Sequence, residues 1–65
     1  MDAKEWLENR LTLYGRKMAG DIEAVQNDAR KAGFTKREMK EARRALGVKL
    51  VRAEDDGETV QWVLP

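Results

Sequence analysis

The sixty-five residues contain no cysteine and no histidine, a single proline, and four aromatic side chains. Without cysteine there is no disulfide and no thiolate nucleophile. Without histidine there is no imidazole base, and the usual zinc ligands are gone as well. No glycine-rich phosphate loop is present either. The expectation is a protein without catalytic residues, cofactor or metal. No apolar run is long enough for a signal peptide or a membrane span, so no membrane partner and a cytoplasmic location are expected. A chain this short buries only about 60% of its unfolded surface, which leaves room for one domain over residues 1–65 and for no large cleft. Internal repeats, linkers and low-complexity tracts are also missing.

What is present is charge, nearly balanced at a net +1 but unevenly distributed. Residues 1–32 are neutral. Between residues 33 and 53, Lys36, Arg37, Lys40, Arg43, Arg44, Lys49 and Arg52 face only Glu38 and Glu41, a net +5, whereas Glu54, Asp55, Asp56 and Glu58 make residues 54–65 net −4. Positive charge gathered on one short stretch is the footprint expected of a phosphate-facing surface.

The strongest local signals lie between Phe34 and Gly47. Thr35 is a good N-cap, and Glu38 three positions later completes a capping box. Phe34 and Met39 are spaced to form a hydrophobic staple, and Gly47 suits a left-handed helix end. At roughly 100° per residue, Met39, Ala42 and Leu46 share one stripe. Arg37, Lys40 and Arg44 fall opposite it, with Lys36 and Arg43 flanking the basic side. The spacing predicts a helix over 36–46 with one face for a core and the other for an anionic partner. A basic helix face is also what an ordinary solvated helix presents, and the helix alone does not separate the two.

Before this stretch, Trp6, Leu7, Leu11 and Tyr14 recur at helical spacing, predicting a first helix from Asp2, its cap, to about Leu13, ended by Gly15. Arg16, Lys17 and Met18 form a bridge or a stub of strand. Gly20 and Asp21 open a second helix, Ile22 to Ala32, with Ile22, Val25, Ala29 and Ala32 on one face. Only Gly33, Phe34 and Thr35 separate it from the third, the spacing of a helix-turn-helix. After Gly47 the period becomes two. Val48, Leu50 and Arg52 alternate with Lys49, Val51 and Ala53; Val60, Trp62 and Leu64 alternate with Thr59, Gln61 and Val63. Between the two runs, Asp56-Gly57 signals a hairpin. Trp62 is expected to point inward.

The expected fold is α+β: a winged helix-turn-helix of three helices followed by a C-terminal β-hairpin, the wing. Its core would be Trp6, Leu7, Leu11, Ile22, Val25, Ala29, Phe34, Met39, Ala42, Leu46, Val48, Leu50, Val60, Trp62 and Leu64. A three-helix bundle with a disordered tail competes, but leaves the alternating pattern unexplained.

The run AGFTKREMKEARRALGV, followed by a basic strand, an acidic glycine turn and a closing WVLP, resembles the C-terminal winged-helix segment of phage- and plasmid-type RecA-like replication ATPases, often encoded with a primase. The match falls on Ala32-Gly33, Lys36 to Arg44, Leu46-Gly47-Val48 and Trp62 to Pro65. It departs in a longer second helix and in lacking the ATPase itself. The resemblance implies a DNA-binding appendage or a free-standing relative, with an ATPase or primase as associated partner and no ATP hydrolysis in these residues.

The function expected from the residues is binding of double-stranded DNA, with the third helix in the major groove. Arg37, Lys40 and Arg44 are candidates for base contacts, and Lys36, Arg43, Lys49 and Arg52 for phosphates. The acidic turn would be repelled by phosphate, so it stays off the backbone or faces another partner. The alternative is a winged helix for protein–protein interaction in a replication or regulatory complex, using the basic helix against an acidic partner or the sheet against another copy.

Overall fold

The computed structural model describes residues 1–55 and 57–65. Helices α1 (Ala3–Arg10), α2 (Ile22–Lys31) and α3 (Lys36–Leu46) are joined by short strands β1 (Thr12–Leu13), β2 (Arg16–Lys17) and β3 (Gly20–Asp21), and followed by β4 (Lys49–Arg52) and β5 (Val60–Val63). β1 and β2 form a small hairpin, while β3, β5 and β4 make an antiparallel sheet in that order with β5 central. This is a small α+β fold. Pairing of Lys49 with Val63 through Arg52 with Val60 rules out a helical bundle with an unpaired tail.

Local signals explain α1 and α3. The Glu5 amide donates to Asp2 Oδ1 at 2.8 Å, capping α1. In α3 both halves of the capping box form, Thr35 N donating to Glu38 Oε1 at 2.9 Å and Glu38 N to Thr35 Oγ1 at 3.1 Å. Gly47 closes α3 at φ 70°.

The helices and Trp62 enclose a core of Ala3, Leu7, Leu11, Val25, Ala29, Met39, Ala42 and Trp62, with Trp6, Ile22, Phe34, Leu46, Val48 and Leu64 packed around it. No polar side chain is buried with them among the described residues. The radius of gyration, 11.3 Å, agrees with the about 11 Å expected for this length. The surface, 4928 Å², exceeds the roughly 4250 Å² of a typical 7.5 kDa globule.

Several expectations need correction. The first helix stops at Arg10, not Leu13. The hydroxyl of the β-branched Thr12 donates to the Glu8 carbonyl at 2.7 Å, and the chain turns into β1. Gly15 therefore ends no helix. With Leu13 opposite Arg16, Tyr14 and Gly15 form a two-residue turn in which both have positive φ, 50° and 74°. That is the turn whose twist matches a two-residue hairpin, and it leaves Tyr14 95% exposed rather than on the α1 stripe.

Gly20 and Asp21 lead into α2 at Ile22 as expected, and they also pair as a short strand with Trp62 and Gln61. Asp21 occupies the N-cap position without capping, because its Oδ1 accepts from Gln61 Nε2 at 2.9 Å. Leu50, expected in the core, is 65% exposed. It shares a face with its partner Trp62, but β4 is the edge strand and overhangs the helices. Ala32, expected on the buried stripe, lies exposed just past the end of α2. The expected Asp56-Gly57 turn lies partly outside the described residues. On its described side, Gly57 N donates to Ala53 O at 3.0 Å and Ala53 N to Thr59 O at 2.8 Å, so the loop beyond that pair is five residues long.

Candidate nucleic-acid interface

α3 is seated by Met39 and Ala42, both buried, and by half-buried Leu46, against α1 and Trp62. That seating turns Arg37, Lys40 and Arg44 outward, where all three are exposed, and Lys36 is exposed beside them at the first turn. The acid nearest this row is Glu41, whose Oε1 is 3.8 Å from Arg37 Nε across an open pair. Such pairs contribute about 0–1 kcal/mol, so the row keeps its field. Lys36 and Arg37 also sit at the positive end of the helix, where cations are disfavoured by about 0.3–1 kcal/mol. This is charge placed against the helix's own preference, and it strengthens attraction for an anion beyond the N-terminus.

The remaining three candidates separate. Arg43 turns inward, its guanidinium carbon 4.8 Å from the centroid of Trp62. Its Nε is buried with no hydrogen-bond partner among the described residues. Trp62, 2% exposed, is thus covered on one side by a cation. Lys49 and Arg52 lie on opposite faces of β4. Lys49 is opposite Val63 on the outer face, and Arg52 is opposite Val60 on the helix side, where its Nη1 donates to the Gly57 carbonyl at 3.2 Å. One flat anionic surface cannot meet both from the same direction. The structure thus groups Lys36, Arg37, Lys40 and Arg44 on the outward side of α3, turns Arg43 toward Trp62, and leaves Lys49 and Arg52 on the two faces of β4. Comparison of the chain with family profiles, with curated proteins and with solved structures gives no match.

Two features escaped the sequence reading. Lys17 Nζ donates to the Pro65 carbonyl, and Pro65 lies against Gly47 at the end of α3, so the β1–β2 hairpin adjoins that end of the helix. A groove of about 380 Å³ also opens between α2 and α3, where Arg30 joins Lys36, Lys40 and Arg43 around a floor that includes Phe34, Met39 and Trp62. Arg30 follows the buried Ala29 directly, but nothing in its spacing tells that it meets α3. Among the described residues no helix is long and apolar enough to cross a membrane, and no group of acidic side chains is arranged to hold a metal ion.

Proposed function

We propose that the chain is a non-catalytic winged-helix module that binds double-stranded DNA, with α3 as the element that enters the major groove. The observation that carries this reading is the row Lys36, Arg37, Lys40 and Arg44, exposed together on the side of α3 opposite its buried stripe. The element order supports it: three helices, a short link between α2 and α3, and a strand–loop–strand after α3. A helix of this diameter fits the major groove, which is about 12 Å wide. Arg37, Lys40 and Arg44 are the side chains nearest base edges in that pose, and Lys36 meets a phosphate. The resemblance to the winged-helix end of phage- and plasmid-type replication ATPases supports placing the module in replication of a mobile element, beside an ATPase or primase.

The strand–loop–strand would serve as a wing that stays off the backbone, since its tip carries Glu54, Asp55 and Glu58. Duplex titration at two salt concentrations tests the reading. With about four phosphates neutralised, log K falls with log salt at a slope of about −3 to −4. Lys40→Glu and Arg44→Glu are each expected to weaken binding at every salt concentration. A duplex that fails to bind at low salt, or that binds both variants as well as the parent, removes the proposal.

A further inference from the structure

The groove between α2 and α3 is a second site, on the flank of α3 that faces α2 and overlapping the outward row only at Lys36 and Lys40. We propose that it docks an acidic peptide segment through one bulky apolar side chain. Phe34, Met39 and Trp62 line the floor, Arg30, Lys36, Lys40 and Arg43 stand around it, and among the described residues no carboxylate lines it. An apolar floor inside a ring of one charge sign selects an occupant with an apolar centre and the opposite charge around it. At about 380 Å³ the groove lies at the small end of ligand sites, which run from about 300 to 1000 Å³. That is room for an aromatic or branched side chain and its flanking backbone, but not for a whole helix.

Arg43 gives an independent reason. Stacked on Trp62, it holds a guanidinium at the groove, and its buried Nε has no partner among the described residues. Carboxylates beside the anchor supply acceptors in the planar geometry that arginine favours. Nucleic acid fits this recess poorly. Bases stack on exposed aromatic faces, yet Trp62 is buried beneath Arg43, and Phe34 packs against Trp6 with ring centroids 5.6 Å apart. A second copy fits no better, because the acidic loop Glu54 to Thr59 has no bulky apolar residue to insert. The inference does not depend on DNA binding. The two sites share Lys36 and Lys40, so peptide and duplex compete.

The test uses the full chain and a short capped peptide of glutamates around a central phenylalanine, followed by tryptophan fluorescence and by amide shifts. Saturable binding is expected, with shifts centred on Ala29, Phe34, Met39 and Trp62. Exchanging the peptide's phenylalanine for alanine should weaken it at least about tenfold, since burying that ring is worth about 1.5–3 kcal/mol. Arg30→Glu should weaken the peptide several-fold and the duplex little, whereas Arg44→Glu should do the reverse. Arg30→Gln, which keeps an uncharged polar side chain there, should give an intermediate loss and guards against misfolding of the charge reversal. Equal binding of the alanine peptide, shifts confined to the outward side of α3, indifference to both Arg30 variants, or preferential filling of the groove by a single-stranded oligonucleotide would each overturn the proposal. Loss of duplex binding alone would leave it standing.

Discussion

Replacing Gly20 with alanine asks whether the sheet is seated on the helices as described. A Cβ at this position would come 2.8 Å from Leu11 Cδ2 and 2.9 Å from Val25 Cγ2. Carbon pairs favour about 3.5–4.0 Å, so each neighbour must retreat by roughly 0.6–1.2 Å. Neither has anywhere to go: Leu11 and Val25 are both fully buried, and a helical valine holds one strongly preferred rotamer. Overpacking of this kind costs about 1–3 kcal/mol. Against it stands about 0.4–1 kcal/mol gained because alanine has less freedom than glycine to lose on folding. With two buried contacts under 3 Å the overpacking cost falls in the upper half of its range, so the expected net loss is about 1–2.6 kcal/mol, or about 4–20 °C in Tm for a domain of this length.

Urea melts followed by tryptophan fluorescence measure the loss, and Val25→Ala completes the cycle. If the methyl groups collide, the double variant should be more stable than additivity predicts by at least about 0.5 kcal/mol. A Gly20→Ala protein as stable as the parent, or an additive cycle, would refute the seating of β3 between Leu11 and Val25. It would also undo the placement of Trp62, which pairs with Gly20.

Thr35→Ala removes the acceptor for the Glu38 amide and should lower stability by about 1 kcal/mol in a thermal melt. A neutral result would mean that the box does not set the start of α3. Tyr14→Asn places at φ 50° a residue that tolerates the left-handed region, and exposed Tyr14 gives up no buried surface; a gain of about 0.5–1 kcal/mol is expected in the same melt. A loss there would show that the tyrosine ring makes a contact that holds the fold. Leu50→Thr should change stability by less than about 0.5 kcal/mol because the side chain overhangs the sheet edge. Fully buried Leu7→Ala should cost about 2–5 kcal/mol, enough to unfold much of a domain this small, as circular dichroism would report.

The amino-acid sequence by itself determined α3. Its cap, reciprocal glutamate, buried stripe and closing glycine act within a few residues of one another, so the outward direction of Arg37, Lys40 and Arg44 follows from helical geometry once Met39 and Ala42 are buried. It also determined that Trp62 faces inward, because alternation along β5 admits only two choices and one would leave an indole in water. Only the tertiary structure decided the rest. That Gly20 and Asp21, which lead into α2, also pair as a strand depends on hydrogen bonds to residues about forty positions away. Leu50 and Trp62 carry the same alternating signal, but the central strand lies beneath the helices and the edge strand overhangs them. Arg43 flanks the basic side of α3 much as Lys36 does, and lies on Trp62 because β5 passes beneath it. The groove that Arg30 completes exists only where α2 meets α3, since short-range periodicity orients each helix about its own axis and carries no record of which helix it will face.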